Sequence, residues 1–282
     1  AVLALGCACG YLLGGRYPME WAPVDAGEHS GVEESKARLL ALGVPDYVLN
    51  DLTAEDLAAC DGAILVVVDV DDYPVNSGRR VSHSYWIGGE RHTNIHTVYD
   101  VKELRITGVG VELPGERWML IQHFLWTTPP GFCGTESIQL WPAYRAGMEG
   151  WRSGGALTGR VLYDEGGQTY AAPYCFLGEQ TFAYDSLFWG KQIRDDLFAA
   201  FSLPRDGENC RGYVAYPIER VRDGYIVDGW FNYTHQQSWM QYPVMTAMEN
   251  QMTNGWNWEG VFYEVSTALQ FYQNEEGVRL LG

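Results

Sequence analysis

The spacing of apolar and polar side chains along the chain changes near residue 63. Before that point, residues 32–42 mix apolar and charged side chains with a helical period, which predicts a solvent-facing helix. Residues 45–49 predict a second short helix. A third, at residues 53–60, begins at Thr53, whose side chain is suited to cap a helix. DNA binding is not expected of these helices, because acidic residues stand where a recognition helix needs Arg, Lys, Asn or Gln.

From residue 63 onward the pattern is that of β-strands. Residues 63–68 form a continuous β-branched run, which is typical of a strand covered on both faces. Alternating segments joined by turn sequences predict three hairpins, at 104–112 with 117–126, 157–163 with 169–174, and 211–221 with 225–234. With a further strand at 197–203, at least eight strands are expected.

The C-terminal end is predicted to return to helix. Pro243 suits the first position of a helix in which three methionines share one face. A second helix, from about residue 258 to 272, would place four apolar side chains on one stripe. The predicted fold is therefore mainly β, an antiparallel β-sandwich with a small N-terminal helical segment and C-terminal helices. Its segments are a helical region at 17–62 packed on the body, and a β-sandwich domain with the C-terminal helices at 63–282.

The first residues form a separate apolar segment. Residues 1–14 carry no charge, although they fall short of the ~20 residues that a membrane-spanning helix needs. We interpret residues 1–16 as a truncated membrane anchor or the remnant of a signal peptide; an ordinary buried helix is the alternative. An anchor of this kind predicts an extracytoplasmic protein that is attached to the cell membrane or secreted.

Charge limits the range of partners. The chain has 36 Asp and Glu residues against 19 Lys and Arg residues, a net charge of −17. Because phosphate backbones are repelled by a broadly negative surface, no nucleic acid partner is expected. The 46% of hydrophobic residues is enough to bury a substantial core, so disorder is not expected.

Cysteine usage does not predict a metal site. The internal cysteines Cys60, Cys133, Cys175 and Cys210 are widely separated, with no Cys-x-x-Cys pair. In an extracytoplasmic domain they could form up to two disulfides, and isolated cysteines are also commonly small buried apolar groups. The sequence leaves this choice open.

Two further groups contain side chains that can bind metal ions. Asp69, Asp71 and Asp72 supply oxygen atoms suited to Ca²⁺, but they lack the glycine and the distal glutamate of an EF-hand loop. His92 and His96 would share a zinc ion only on a helix, whereas their surroundings favour an extended strand. We therefore predict no metal and no cofactor.

No catalytic residue is assigned by a motif. The chain contains no Gly-x-Ser-x-Gly sequence and no glycine-rich phosphate loop. A glycosidase needs only two suitably spaced carboxylates. Glu136, Asp185 and Glu259 lie beside aromatic residues and are the first candidates for that role.

Aromatic residues are the most distinctive functional signal. Eleven tryptophans are present, and many aromatic residues cluster around residues 129–131 and near residues 239–258. Aromatic rings exposed on loops form stacking surfaces for sugars or extended peptides, whereas buried rings build a core. The side chains predicted to contact a ligand are Trp126, Trp141, Tyr144, Trp239 and Trp258.

Several strings resemble those of a known group. They are Phe124-Leu125-Trp126 with Gly131-Phe132, the run from Thr135 to Pro142, Ser186-Leu187-Phe188-Trp189-Gly190, Glu208-Asn209-Cys210-Arg211-Gly212-Tyr213, and Asn232-Tyr233-Thr234-His235. These strings look like stretches of uncharacterised, membrane-tethered proteins of Gram-positive anaerobic bacteria, and the resemblance covers most of residues 32–273. It implies an ectodomain behind a single membrane helix, and it implies no activity and no functional residue.

These observations predict a non-enzymatic binding or sensing domain of a membrane-tethered extracytoplasmic protein. Its ligand would be a glycan, a peptide or another component of the cell envelope, and its oligomeric state is left open. One alternative is a carbohydrate-active or other hydrolase that uses paired carboxylates. The other is a structural component of the cell envelope. A carboxylate-lined groove would favour catalysis, and a flat aromatic face would favour binding.

Overall fold

The computed structural model describes ten stretches of the chain. They are residues 17–73, 82–87, 89–94, 103–141, 151–186, 190–220, 222, 227–236, 263–274 and 277–280. Among these residues the structure is mainly β, with three short helices and sixteen strands. The coarse prediction of a mainly β, antiparallel fold is therefore confirmed.

Three short helices lie near the N-terminal end of the described residues. They are α1 (Glu33–Leu42), α2 (Asp46–Asp51) and α3 (Ala54–Ala59), in agreement with the three helices that the pattern predicts. Gly43 ends α1 in the left-handed conformation, with φ of 109°. Thr53 caps α3 by accepting a hydrogen bond from the backbone N–H of Asp56.

Sixteen strands lie in the part of the chain that the structure describes. In chain order they are β1 (Ala22–Pro23), β2 (Leu65–Tyr73), β3 (Ser82–Ile87), β4 (Glu90–Asn94), β5 (Leu104–Leu113), β6 (Arg117–Trp126), β7 (Thr135–Trp141), β8 (Trp151–Ser153), β9 (Thr158–Glu165), β10 (Gln168–Ala172), β11 (Phe176–Ser186), β12 (Gly190–Ser202), β13 (Glu208–Arg220), β14 (Val227–His235), β15 (Tyr263–Asn274) and β16 (Gly277–Leu280). They form two sheets.

The first sheet has ten strands in the order β1-β10-β9-β13-β6-β5-β2-β3-β4, with β8 also paired to β13. The second sheet has six strands in the order β11-β12-β7-β14-β15-β16. Neighbouring strands are antiparallel throughout both sheets.

Two of the three predicted hairpins are confirmed. Strands β5 and β6 pair up to Leu113 and Arg117, and Gly115 in their turn has φ of 82°. Strands β9 and β10 pair around Gly166 and Gly167, which both have positive φ. Glycine adopts these backbone conformations without the steric cost that a Cβ atom brings.

The third predicted hairpin, around residues 222–224, is wrong. Strand β13 belongs to the first sheet and pairs with β6, β8 and β9, whereas β14 belongs to the second sheet and pairs with β7 and β15. An Asp-Gly sequence favours a tight turn locally, but it does not decide which strands become partners. Here β13 and β14 each form long ladders with other strands, and those ladders determine the strand pairing.

The predicted helix at about residues 258–272 is also wrong. Residues 263–274 are strand β15, which pairs with β14 on one side and β16 on the other. Leu269 and Phe271, two residues apart, are both buried in the core, so the apolar stripe has the period of a strand. The predicted helix that begins at Pro243 lies outside the described residues.

Two hydrophobic cores flank the first sheet. One contains side chains of both sheets, such as Leu120 and Phe124 of β6 with Phe201 of β12 and Phe271 of β15. The other lies between the first sheet and the three helices. Strand β2 contributes to both, with Val67 in the first core and its neighbours in the second, so this strand is covered on both faces as its sequence predicts.

The structure gives the bonding state of the four internal cysteines. Cys60, Cys133 and Cys210 are free, and Cys175 is disulfide-bonded. No disulfide therefore joins two of these four, and the choice that the sequence leaves open is decided in favour of free thiols for Cys60, Cys133 and Cys210. Among the residues that the structure describes, no helix combines the length and the apolar composition needed to cross a membrane. Residues 1–16 lie outside those residues.

Candidate functional site

Two of the five predicted ligand-binding residues lie in the part of the chain that the structure describes. Trp126 is buried between the sheets with 2% of its surface exposed, and its indole N–H donates a 3.0 Å hydrogen bond to the Tyr233 hydroxyl. Trp141 ends β7, where its backbone pairs with Trp230 of β14. Tyr144, Trp239 and Trp258 lie outside the described residues. Trp126 is thus a core residue, and ligand contact by the whole set stays a prediction.

Glu136, a candidate acid of the hydrolase alternative, is fully enclosed. It lies on β7 directly opposite His235 of β14. Nδ1 of His235 lies 2.9 Å from one carboxylate oxygen of Glu136 and 3.0 Å from the other. Burial raises the pKa of Glu136, although the nearby His235 opposes that change. Of the other two candidate acids, Asp185 lies on β11 and Glu259 lies outside the described residues.

A short polar chain continues from this pair. The Tyr233 hydroxyl is hydrogen-bonded to Glu136 and also accepts the hydrogen bond from Trp126. The rings of Trp126 and His235 lie 4.8 Å apart. Because Glu136, Tyr233 and His235 are all buried, this group satisfies its own polar atoms inside the core and exposes none of them to a substrate.

Cysteine nucleophiles are not supported near this pair. Burial, with smaller contributions from Cys133 and Glu136, raises the pKa of Cys210 to about 12. The pKa of Cys60 is likewise raised to about 12 by burial. Since the thiolate is the reactive form, both side chains are inert thiols at neutral pH.

A second polar group lines a narrow recess between the two sheets. Its lining residues come from β2, β5, β6 and β15, and they are Asp69, Asp71, Ile106, Gly108, Gln122, Thr267 and Leu269. One oxygen of the Asp71 carboxylate, Oδ2, accepts a 2.8 Å hydrogen bond from the Thr267 hydroxyl and a 3.0 Å bond from the Tyr73 hydroxyl. The recess therefore joins oxygen atoms of both sheets.

The floor of the recess is one row across three strands. Asp69 pairs with Gly108, and Gly108 pairs with Gln122. Because Gly108 has no side chain, the Asp69 and Gln122 side chains extend from either side over an open position. A Cβ atom at Gly108 would lie 3.2 Å from Oε1 of Gln122 and 3.2 Å from Cβ of Leu269.

Strand alternation separates the three aspartates that the sequence places together. Asp69 and Asp71 face the recess, whereas Asp72 lies on the helical side of β2, where it is bonded to Arg105 at 2.8 Å and 3.3 Å. Among the described residues, no group of three His, Cys, Asp or Glu side chains is placed to hold a metal ion. His92 lies on β4, and His96 lies outside the described residues.

Sequence reasoning missed the residues that complete both groups. His235, Tyr233 and Thr267 belong to no motif and meet their partners only through strand pairing. Gln122 gives a usable signal, because it is an uncharged polar residue inside the apolar run 118–126. A polar side chain in a strand that is covered on both faces needs a partner within the protein.

The comparisons with known proteins do not assign a family. No protein-family model matches the chain, and no curated protein matches it. One solved structure to which it is similar is described as "AvmM Catalyzes Macrocyclization in Alchivemycin A Biosynthesis". The two chains share 10% identity with a TM-score of 0.25, over 57% of this chain and 82% of that one. A likeness of this size carries no functional argument.

Proposed function

We propose that the chain is a non-enzymatic binding or sensing domain of a membrane-tethered extracytoplasmic protein, built as a β-sandwich. Support for the sandwich comes from the core that side chains of both sheets share. The ligand is proposed to be a glycan or an extended peptide of the cell envelope. The net charge of −17 supports a partner other than nucleic acid.

The burial of Glu136 is the observation that supports a binding function over catalysis. This side chain has no exposed surface, and both of its oxygens are within 3.0 Å of His235. A glycosidase acid must reach the glycosidic oxygen of its substrate. In this structure Glu136 is instead hydrogen-bonded to His235 and Tyr233 inside the core.

The proposed ligand contact is the neighbourhood of Trp141 on the second sheet. Trp141 pairs in register with Trp230, which is half-buried, so two tryptophans occupy adjacent positions on neighbouring strands. Adjacent aromatic residues on a sheet are suited to stack against sugar rings or peptide side chains.

The test is binding of the full chain to a glycan array and to isolated Gram-positive cell walls. Trp141→Ala and Trp230→Ala should each lose most of the signal. Trp21→Ala is the matched control, because Trp21 is a half-buried tryptophan that packs on Tyr163 of the first sheet. Absence of binding to every glycan and cell-wall preparation, or equal loss in all three variants, would contradict the proposal.

The hydrolase alternative is tested on the same material. Incubation of the full chain with the same glycans should release no reducing ends. Release of reducing ends that Glu136→Gln abolishes, in a variant whose circular dichroism is unchanged, would replace the binding proposal with a hydrolase.

The location is tested by protease treatment of intact cells, which should degrade a protein exposed outside the membrane.

A further inference from the structure

We propose that the recess between the two sheets binds a single Ca²⁺ ion through oxygen atoms of Asp69, Asp71, Gln122 and Thr267. This site is independent of the proposed ligand contact at Trp141, since it lies between β15 and strands β2, β5 and β6. The inference rests on the kinds of atoms that line the recess and on one buried oxygen without a hydrogen-bond partner.

Oxygen is the only ligand type that the four polar side chains offer. Asp69 and Asp71 are two residues apart on β2, so both carboxylates point to the same face of the sheet. The amide of Gln122 enters from β6, and the hydroxyl of Thr267 enters from β15 of the other sheet. Carboxylate, amide and hydroxyl oxygens are the ligands that Ca²⁺ takes, at about 2.3–2.6 Å.

Gln122 supplies the independent evidence for an occupant. Its side chain is 1% exposed, and no described residue forms a hydrogen bond with its Oε1 atom. The amide orientation is fixed because Nε2 donates a 3.1 Å hydrogen bond to the carbonyl oxygen of Gly229. Turning the amide over would place Oε1 against that carbonyl, so the acceptor oxygen is the atom left for the recess.

The lack of a side chain at Gly108 leaves space beside Oε1 of Gln122, so that this oxygen can coordinate an ion. It lies between Asp69 and Gln122 in the row across β2, β5 and β6, and a Cβ atom there would come within 3.2 Å of Oε1. The Thr267 hydroxyl donates a hydrogen bond to Oδ2 of Asp71. The hydroxyl oxygen of Thr267 keeps a lone pair that can coordinate a cation. Ligands from both sheets thus surround one position.

The dimensions favour calcium over magnesium. The recess is narrower than a water molecule, so an ion must enter without most of its hydration shell. Mg²⁺ dehydrates reluctantly and usually keeps several waters, whereas Ca²⁺ takes six to eight oxygen ligands, bidentate carboxylates among them, in flexible geometry. Zinc is disfavoured because the recess offers neither His nor Cys ligands.

The test is calcium binding to the full chain after treatment with a chelator. Isothermal titration calorimetry should show one Ca²⁺ per chain, with Kd in the range of about 0.1–1 mM that extracellular modules show. Tb³⁺ should bind in its place and emit on tyrosine excitation, because the Tyr73 hydroxyl lies 3.0 Å from Asp71. Added Ca²⁺ should displace the Tb³⁺, and Mg²⁺ should not.

Three variants locate the ion, and one variant is the control. Asp69→Asn, Gln122→Met and Gly108→Ala should each weaken calcium binding by about 10-fold or more, because they remove a negative charge, remove an oxygen ligand and fill the space beside it, respectively. Asp72→Asn is the matched control, since Asp72 lies on the opposite face of the same strand, and its affinity should match that of the unmodified protein.

Two results would overturn the proposal. One is the absence of Ca²⁺ and Tb³⁺ binding by the unmodified protein at about 10 mM metal, well above the range of extracellular sites. The other is binding that survives unchanged in the folded Gln122→Met and Gly108→Ala variants, which would place the ion elsewhere. Should Asp69→Asn fail to fold, the two uncharged substitutions still decide the question.

Discussion

The carboxylate of Asp51 lies 2.8 Å from Nε2 of His123, and both side chains are buried where the last residue of α2 meets β6. The other carboxylate oxygen of Asp51 accepts a 2.8 Å hydrogen bond from Arg211 of β13. The backbone carbonyl of Asp51 accepts a further bond from Arg160 of β9. One residue at the end of a helix therefore binds three strands of the first sheet.

Replacing Asp51 should destabilise the fold strongly. In Asp51→Ala the buried ring of His123 and the half-buried guanidinium of Arg211 lose the partner that they share, and breaking such a buried pair costs about 3–5 kcal/mol. Urea unfolding followed by circular dichroism measures the change. Asp46→Ala is the control, because Asp46 is an exposed acid of the same helix and should cost less than about 1 kcal/mol. Equal losses in the two variants would mean that the buried contacts of Asp51 contribute little.

The cap of α3 provides a smaller and more local prediction. The Thr53 hydroxyl oxygen accepts a 3.1 Å hydrogen bond from the N–H of Asp56 and donates a 2.8 Å bond to the Asp56 carboxylate. Thr53→Ala should cost about 0.5–2 kcal/mol of unfolding free energy, because the N–H at the helix start loses its acceptor. Thr53→Ser keeps the hydroxyl and should restore most of the loss in the same urea titration. A serine variant as unstable as the alanine variant would argue that the threonine methyl group, rather than the cap, is what matters.

Local signals predicted much of this fold. The cap at Thr53, the glycine that ends α1 and the turn glycines between β5 and β6 act through their own backbone conformations, so they are readable from a few residues. The hairpin predicted around residues 222–224 failed because strand partners are chosen across the whole chain. The helix predicted over β15 failed because four apolar positions fit a helical stripe as well as a strand until the neighbouring strands are known.

The candidate sites were harder to predict for the same reason. Glu136 and His235 are 99 positions apart in the sequence, and Asp71 and Thr267 are 196 positions apart. Neither spacing resembles a motif, so the pairs arise only when β7 pairs with β14 and when β15 packs over β2. The burial of Asp69, Asp71 and Asp72 follows from the same long-range packing, and their spacing along β2 does not predict it.

Gly159 should be intolerant of any side chain. It lies on β9 with φ of 140°, and a Cβ atom there would overlap the carbonyl oxygen of Tyr213 on the paired strand β13. Relief of that overlap requires backbone movement, so Gly159→Ala should cost at least about 3 kcal/mol or prevent folding. Thermal unfolding or the yield of soluble protein measures the effect.

Gly131→Ala is the matched control for that substitution. A Cβ atom at Gly131 would meet no atom within 4 Å, so the change should stay within about 1 kcal/mol of the unmodified protein. A Gly159→Ala variant as stable as Gly131→Ala would show that β9 and β13 do not approach as closely as the pairing of Gly159 with Val214 implies.

The free cysteines should react at different rates. Cys133 is half-buried, whereas Cys60 and Cys210 are buried and their pKa values are raised to about 12. At pH 8 the two buried thiols are then thiolate in only about one molecule in ten thousand. Iodoacetamide labelling of the native protein, read by peptide mass spectrometry, should modify Cys133 first and the other two only after unfolding. Early modification of Cys210 would contradict its burial.

The enclosed Glu136 should make stability depend on pH. Burial raises its pKa in the folded state above the usual 4.5, so the folded protein holds this proton more tightly than the unfolded chain does. The resulting contribution to stability is fully present below the unfolded pKa and is lost as the pH rises through the folded pKa. The unfolding free energy of the unmodified protein, minus that of Glu136→Gln, should therefore fall above pH 4.5, by at most about 1.4 kcal/mol per pH unit.

Urea titrations of the two proteins at steps between about pH 4 and pH 8 measure this difference. Subtraction cancels the titration of groups that do not interact with Glu136, and it also removes any constant effect of the substitution on the hydrogen bonds of Tyr233 and His235. A fall that ends in a plateau gives an apparent folded-state pKa for Glu136 in its pairing with His235. A difference that stays flat or rises over this range would mean that His235 and Tyr233 stabilise the charged carboxylate enough to offset its burial. Glu136 would then be an anion in the core, and its contacts with His235 and Tyr233 would stabilise the charged form by at least as much as burial destabilises it.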